Sequence, residues 1–258
     1  MGYNLIITTD QCIYLNADQS YWLTIKASDS VTQATWVYSN LSFYNYALEE
    51  ALQIREQNGD GEVVVVSLGP DRCQKTIREA LAKGADRALH IKEEPPYHSD
   101  PYAIASAIAN AIKAENFDLV LSGLQSDDVG MGQTGVILGE MMGMATASLA
   151  MATEVGDGKI KVKRELEAGW FQWVSLTLPA SITIQSGLNT PRYPSLKGIM
   201  GAKRKEIKVI EPSDNDSMQS LEKIYVPQSD KQTVMIEGSV DQMVEKLIDA
   251  FRNDIKVL

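Results

Sequence analysis

Four short apolar runs alternate with helical patterns through the first 145 residues, and this alternation limits the fold more than any other feature of the chain. The runs are continuous in Val, Ile and Leu, whereas a strand exposed on one face would alternate apolar and polar residues. Continuous runs indicate burial on both faces, as in a parallel sheet covered by helices. The order therefore predicts an α/β fold, a doubly wound and mostly parallel sheet with right-handed crossovers. The predicted strands are residues 4–8, 62–68, 88–91 and 118–122.

Start and stop signals frame two of the predicted helices. Asp71 is placed to cap a helix that runs to Lys83, and Gly84 marks its end. Asp100 and Pro101 combine an N-cap residue with a proline in the first turn. Apolar residues then recur at core spacing, namely Ile77, Ala80 and Leu81 in the first helix and Ile104, Ala107, Ile108 and Ile112 in the second.

The pattern changes after Met144. Alternating and apolar segments predict further strands, and a loop with prolines and charges follows them. Residues 211–222 are polar and rich in turn-forming residues, which predicts a linker. We therefore expect an α/β domain over residues 1–210 and an arm with a helix over residues 211–258. The further strands are expected at 159–164, 170–178 and 181–184, and the loop at 189–208.

The last helical pattern, residues 239–253, is strongly amphipathic. Ser239 and Gln242 fit a capping box at its start. Such a helix packs either on its own domain or on a partner chain, and both alternatives are open from the sequence. The apolar side chains that share one face are Val240, Met243, Val244, Leu247, Ile248 and Phe251.

Composition disfavours several classes of protein. The chain carries 24 Lys and Arg against 34 Asp and Glu, a net charge of −10, which argues against a general nucleic-acid or anionic-lipid binder. No stretch approaches the ~20 apolar residues that a membrane helix needs. Two Cys and two His predict neither a disulfide framework nor a histidine-rich metal centre. Because a strand-like run starts at Leu5, we expect no leader peptide and a cytoplasmic protein.

Residues 130–135, Gly-Met-Gly-Gln-Thr-Gly, match the pattern G-x-G-x-x-G between a predicted strand and a predicted helix. Glycines at a helix start expose backbone N–H groups, the helix dipole favours an anion there, and Gln133 and Thr134 add side-chain donors. The pattern follows the fourth strand rather than the first, and no acid ends a following strand, which argues against a nicotinamide dinucleotide. A phosphate-bearing ligand and a turn used for close packing both remain open.

We find no catalytic motif: neither a G-x-S-x-G elbow, nor a P-loop, nor H-E-x-x-H. We expect His98 to be solvated, and His90 and Cys73 to be structural. Asp127 and Asp128 are adjacent in a turn, so they are expected to cap the following helix rather than act as an acid–base pair. The pattern favours a binding protein or carrier without catalytic residues over a hydrolase.

A set of segments spread over nearly the whole chain carries a family resemblance. The most diagnostic is residues 188–196, Leu-Asn-Thr-Pro-Arg-Tyr-Pro-Ser-Leu; the others are 47–51, 63–70, 76–80, 83–87, 118–127, 163–167, 199–200, 202–203, 225–227 and 235–238. Together they resemble the beta subunit of electron transfer flavoprotein, particularly the bacterial forms that serve trimethylamine dehydrogenase. The resemblance implies a Rossmann-like, adenine-nucleotide-binding fold and an electron carrier rather than an enzyme.

The resemblance implies the following partners and cofactors. An alpha subunit completes a heterodimer and holds most of the contacts to FAD, which takes electrons from a flavin-containing dehydrogenase and passes them to an acceptor. The beta subunit binds AMP in a structural role. The residues that the resemblance places at the nucleotide are Thr8, Asn40, Leu68, Asp127, Asp128, Val129, Gly130, Gly132, Gln133, Thr134 and Gly135.

Two further surfaces follow from the same resemblance. The docking loop, residues 189–205, is expected to meet the dehydrogenase through Pro191, Arg192, Tyr193 and Leu196, with Leu196 as its apolar anchor. Residues 191–210 hold six Lys and Arg against one acid, a patch that could steer an acidic partner. Glu165 resembles an acidic residue that reaches the alpha subunit near the flavin.

Departures from the family pattern leave open which nucleotide the site binds. Thr9 and Asp10 replace a usual Lys-containing strand end, and Val129 and Gly132 stand where many members have Asp and Asn. A second FAD, as in electron-bifurcating members, or an empty site are alternatives to AMP. A stand-alone adenine-nucleotide module and a nicotinamide-dependent oxidoreductase are alternatives to the carrier.

Overall fold

A computed structural model describes residues 3–9, 43–93, 100–125, 130–212, 217–219 and 234–255. The chain divides into two compact units, Met1–Glu222 and Lys223–Leu258; the predicted division after residue 210 stays a prediction. In chain order the elements are β1 (Tyr3–Thr9), α1 (Phe43–Asn58), β2 (Gly61–Gly69), α2 (Gln74–Lys83), β3 (Arg87–Lys92), α3 (Pro101–Ile112), β4 (Leu119–Gly123), α4 (Thr134–Met141), β5 (Ala145–Gly156), β6 (Lys159–Glu165), β7 (Phe171–Thr177), β8 (Ala180–Ile184), α5 (Leu196–Ala202), β9 (Ile207–Ile210) and α6 (Val240–Asn253).

The strands of the first unit form one sheet in the order β7-β6-β5-β8-β4-β1-β2-β3-β9. From β5 to β9 in that order, every strand runs parallel to its neighbour. A β6–β7 hairpin adds antiparallel strands beyond β5. The chain leaves β1 toward β2 and β3 on one side and returns to β4 on the other side. The predicted doubly wound, mostly parallel α/β fold is therefore confirmed.

Helices cover both faces of the sheet, which explains the continuous apolar runs. On β2, Val63 and Val65 pack into a cluster with α1 and α2, whereas Val64 and Val66 pack into a second cluster with α3 and α4. All four valines are at most 3% exposed. Burying each such side chain contributes about 1.5–3 kcal/mol, so a strand with polar residues on one face would lose half of this stabilisation.

Most of the predicted helix signals are confirmed. The Asp100 carboxylate accepts a hydrogen bond from the Tyr102 N–H at 2.9 Å and caps α3. Gly84 ends α2 with φ 139°, in the left-handed region that favours glycine. The prediction for Asp71 as the cap of α2 is wrong, because α2 begins at Gln74 and the Asp71 carboxylate instead pairs with Lys92 at 2.9 Å. The predicted apolar stripes of α2 and α3 are buried.

Three elements, α5, β9 and β5, differ from the sequence-based expectation. The predicted loop over 189–208 contains helix α5 and the start of β9. The Ser195 side chain caps α5 by accepting the Gly198 N–H at 3.0 Å. Strand β5 has no counterpart among the predicted strands, because a register shift between Ala147 and Ala150 and a positive φ of 60° at Leu149 interrupt its pattern.

The second unit contains α6, with the predicted capping box: Ser239 Oγ accepts from the Gln242 N–H, and the Gln242 side chain accepts from the Ser239 N–H. No residue of α6 is buried, and Val240 is 70% exposed. In the described parts of both units, no helix is long and apolar enough to cross a membrane. The same residues include no group of three or more His, Cys, Asp or Glu placed to hold a metal ion.

Candidate functional site

The carboxyl ends of β1, β2 and β4 meet at the point where the strand order reverses. In the register, Thr8 of β1 lies opposite both Val66 of β2 and Ser122 of β4. Leu68, the next-to-last residue of β2, is 1% exposed. The helices that follow these strands lie on different faces of the sheet, so a crevice opens between them, and ligands of doubly wound folds bind there. Thr8 and Leu68, which the family resemblance places at a nucleotide site, are thus brought to one end of the sheet.

The glycine-rich turn before α4 has the backbone of an anion site. Gly130 and Gly132 have φ values of 64° and 65°, which glycine adopts without strain. Gln133 follows in the right-handed region at φ −112° and ψ −29°. A left-handed residue followed by a right-handed one is a backbone pattern that can form an anion-binding nest. The first turn of α4, which contains no acidic residue, adds further N–H groups and the positive end of the helix dipole.

Gly135 allows this helix start to lie directly on the sheet. A Cβ atom at Gly135 would lie 2.1 Å from Ser122 Oγ and 2.8 Å from Thr183 Cγ2. The Ser181 hydroxyl donates a hydrogen bond to the Gly135 carbonyl oxygen at 3.0 Å. One turn later, a Cβ at Gly139 would lie 2.5 Å from Thr146 Oγ1. On the side that faces the sheet, Gly135 therefore serves close packing. The sequence left this role open as an alternative for the whole turn.

Two buried serines at the strand ends were missed by the sequence analysis. Ser67 of β2 and Ser122 of β4 are at most 1% exposed, and neither hydroxyl has a hydrogen-bond partner in the described part of the chain. A buried hydroxyl without a partner is costly, and both of these lie near the carboxyl ends of the strands that flank β1. The sequence signal was available, since each serine interrupts an apolar run near the end of its strand.

His90 lies beside Ser67 in the register of β2 and β3. The imidazole is 0% exposed, and its Nε2 lies 2.8 Å from the Gly69 carbonyl oxygen. Its Nδ1 has no partner among the described residues. Cys73 is buried. His98, the other histidine that the sequence singled out, lies outside the described residues.

The docking loop combines exposed apolar side chains with a partly buried polar attachment. Tyr193 is 90% exposed, Leu196 is 83% exposed and Pro191 is half-buried. Arg192, in contrast, turns inward to α1: its Nε lies 2.8 Å from Glu49 Oε2, and its Nη1 lies 2.6 Å from Glu56 Oε1. Tyr193 and Leu196 are thus exposed, whereas Arg192 is engaged within the chain; docking of these four residues to a partner stays a prediction.

The contacts of the docking loop and the burial of α1 shift the pKa values of three glutamates on that helix. Burial alone would raise the pKa of the Glu49 carboxyl, but hydrogen bonds from Arg192 and Gln53 hold that pKa below its usual value. The hydrogen bond from Arg192 also lowers the pKa of Glu56. Glu50 differs, because burial raises the pKa of its carboxyl despite hydrogen bonds from Thr153 and Asn189.

Glu165 ends β6 at the hairpin side of the sheet, opposite Phe171 of β7. Its Oε2 accepts a hydrogen bond from Gln185 Nε2 at 2.9 Å. Around it lie large exposed aromatic side chains, with Trp170 at 72% and Trp173 at 50%. Exposed aromatic patches of this kind are typical of protein interfaces. The predicted nucleotide residues Asn40, Asp127, Asp128 and Val129 lie outside the described residues.

Comparison with known proteins gives one consistent family. Residues 40–215 match the electron transfer flavoprotein domain. The chain is 37% identical over 217 residues to the electron transfer flavoprotein subunit beta of Methylophilus methylotrophus, covering 79% of this chain and 82% of the relative. It is 31% identical over 234 residues to the subunit beta of Bacillus subtilis, covering 87% and 89%. It is 40% identical over 175 residues to the subunit beta of Homo sapiens, covering 67% and 68%.

Proposed function

The chain belongs to the family of electron transfer flavoprotein beta subunits, and from that premise we propose that it works with an alpha subunit as an electron carrier between a flavin-containing dehydrogenase and a downstream acceptor. The observation that carries the proposal is the family match over residues 40–215, which includes the glycine turn, Glu165 and the docking loop. FAD, held mainly by the alpha subunit, supplies the redox chemistry. The beta subunit has no substrate turnover of its own, and the carrier works in the cytoplasm. Service to trimethylamine dehydrogenase stays a prediction.

We place AMP at the crevice between β1 and β4. The residues present fit this group, because the N–H groups of Gly132, Gln133 and Thr134 at the start of α4 suit the phosphate. The helix dipole of α4 adds to the attraction for a phosphate. AMP in this position would stabilise the fold by binding the folded state alone.

We assign the docking loop to the dehydrogenase. Leu196 and Tyr193 are large, exposed apolar side chains close together in the loop. Exposed apolar patches of this kind are typical of surfaces that a partner covers. A Leu that enters a partner pocket is a typical anchor of an interface. The net charge of +5 over residues 191–210 contrasts with −10 for the whole chain, so an acidic partner would be steered to this side.

We assign two surfaces to contacts with the alpha subunit. One is Glu165 with the exposed aromatic residues around it, and the other is the apolar face of α6. Among the described strands, β7 is the last of the sheet beyond β6, and backbone groups on the outer side of such an edge strand can pair with a second chain. In the second unit, Val240 and Val244 of α6 are 70% and 49% exposed and lie on one helix face. Permanent two-chain interfaces are more apolar than transient ones, which suits these surfaces.

The test is co-expression with the alpha subunit, purification of the complex and identification of the small molecules released on denaturation. The proposal expects a yellow heterodimer that releases one FAD and one AMP. Two FAD per heterodimer would favour the electron-bifurcating alternative. A colourless pair of chains that do not associate would overturn the assignment as a carrier subunit, and a lone chain that binds ATP would favour a stand-alone nucleotide module.

A further inference from the structure

The docking loop is attached to α1 by one guanidinium group that bridges two carboxylates. Arg192 Nη2 lies 2.9 Å from Glu49 Oε1 and 3.0 Å from Glu56 Oε2, in addition to the contacts through Nε and Nη1. The Arg192 backbone N–H also donates to Glu49 Oε2 at 3.1 Å. The planar guanidinium is suited to such paired contacts, which fix orientation as well as distance. Arg192 is therefore held from both its main chain and its side chain.

Further contacts hold the loop on both sides of Arg192. On the N-terminal side, Asn189 Nδ2 donates to the Tyr46 carbonyl oxygen at 3.0 Å and to Glu50 Oε2 at 3.1 Å. On the C-terminal side, a Cβ atom at Gly198 would lie 2.2 Å from the Ala82 carbonyl oxygen, so α5 rests directly on the end of α2. The loop is thus anchored to two helices of the α/β layer.

These attachments leave the apolar side chains free to face outward. Leu196 and Met200 are four residues apart on α5, so they lie on one face of the helix, and they are 83% and 72% exposed. Tyr193, between Arg192 and the start of α5, is 90% exposed. Within the loop, Asn189 and Arg192 make polar contacts to α1. The large apolar side chains of Tyr193, Leu196 and Met200 instead face the solvent, which is the reverse of the usual distribution for apolar residues.

From this arrangement we propose that Glu49 and Glu56 are positioning residues for partner docking: through Arg192 they fix the docking loop in its binding conformation before the dehydrogenase arrives, and Met200 extends the anchor formed by Leu196. The inference rests on the proposed function, because it takes the docking loop as the dehydrogenase site. Ordering a loop at the moment of binding costs affinity, so an ordered loop binds more tightly for the same contacts.

The experiment compares Arg192→Gln, Glu49→Gln and Glu56→Gln with wild type in the FAD-loaded heterodimer. Amide hydrogen exchange of residues 193–198 reports the order of the loop. Steady-state electron transfer uses a flavin dehydrogenase that reduces the wild-type heterodimer, with trimethylamine dehydrogenase as the first choice. Arg192→Gln should speed exchange and raise the KM for the heterodimer about tenfold, with kcat unchanged. Glu49→Gln should raise the KM and the exchange rate more than Glu56→Gln does, because the Glu49 side chain is 6% exposed and that of Glu56 is 50% exposed.

Arg87→Gln is the matched control. Arg87 also bridges two carboxylates, with Glu62 Oε1 at 2.9 Å and Glu115 Oε2 at 2.8 Å. Both of these glutamates lie outside the docking loop. Its loss should lower stability without changing the KM or the exchange of residues 193–198. A merely structural role for Arg192 would make the two variants alike, which would overturn the inference.

The variants Leu196→Ala and Met200→Ala distinguish a failure of the positioning role from a failure of the proposed docking site. If Leu196→Ala leaves the KM unchanged, the assignment of the docking loop to the dehydrogenase fails, whereas hydrogen exchange still reports the attachment. If Leu196→Ala raises the KM but Arg192→Gln does not, the assignment stands and the positioning role is overturned. An unchanged KM in Met200→Ala would contradict the extended anchor.

Discussion

Gly135 of α4 and Ser122 of β4 are so close that a Cβ atom on the glycine would lie 2.1 Å from the serine Oγ. The glycine-rich sequence therefore has two physical functions. Gly130 and Gly132 supply left-handed backbone for the turn. Gly135 lets the helix start approach the carboxyl ends of the strands, so the turn and the strand ends share one crevice.

Gly135→Ala should destabilise the protein by about 1–3 kcal/mol, because the new methyl group overlaps both Ser122 and Thr183. The measurement is urea unfolding of the complex with the alpha subunit. Gly201→Ala in α5 is the control, since a Cβ there meets nothing within 4 Å and alanine favours a helix. Equal unfolding midpoints for Gly135→Ala and wild type would contradict the close contact.

Gly132→Ala should reduce the AMP released per heterodimer, because the substitution strains the turn whose N–H groups are assigned to the phosphate. Gly143→Ala carries a similar strain, since Gly143 has φ 66° and Gly132 has φ 65°, and a Cβ at Gly143 meets nothing within 4 Å. Chromatography of the denatured complexes measures the nucleotide. A similar loss of AMP in both variants would mean that strain alone is responsible.

Leu196→Ala should weaken electron transfer from the dehydrogenase and leave the FAD content unchanged. Loss of an apolar anchor typically costs about 2 kcal/mol, which corresponds to roughly a 30-fold higher KM. Val209→Ala removes an apolar side chain that is 50% exposed on β9 and serves as the control. Loss of flavin in Leu196→Ala would show that this residue supports the heterodimer rather than docking.

Acid should remove the stabilisation that Arg192 provides. The pKa values of Glu49 and Glu56 lie below their usual value of 4.5, so the pairing contributes fully above that pH and is lost as the pH falls through the lowered pKa values. Arg192→Gln should be less stable than wild type by about 2 kcal/mol at neutral pH. The difference should shrink below pH 4.5 in urea unfolding across a pH series. A difference that is constant with pH would contradict the role of the carboxylates.

The elements that the sequence predicted well are those with strong local signals. The valines of β2 form a run that cannot be amphipathic, and Asp100 and Gly84 have conformational preferences that act within one turn. The family resemblance, which depends on the same kind of local pattern, is also confirmed. Strand β5 was missed because its bulge near Leu149 breaks the periodicity that reveals a strand.

The contacts that give Arg192 its role were outside the reach of the sequence. Arg192 reads as an exposed cation in a basic loop, yet its partners Glu49 and Glu56 lie 143 and 136 residues away. Nothing in the local pattern indicates that α1 will pass beneath this loop. The same holds for Ser67 and Ser122, whose separation of 55 residues conceals that both lie beside β1.

The amino-acid order by itself determined the layered α/β architecture, the helix ends at Gly84 and Asp100 and the glycine turn, because hydrophobic period and backbone preference act between residues that are close along the chain. The tertiary structure decided which distant residues come together: the arginine and glutamates that hold the docking loop, and the ends of β2 and β4 that carry the two serines on either side of β1. Long-range ion pairs and hydrogen bonds depend on where the packed helices and strands bring distant residues, and that placement becomes defined when the apolar faces are buried together.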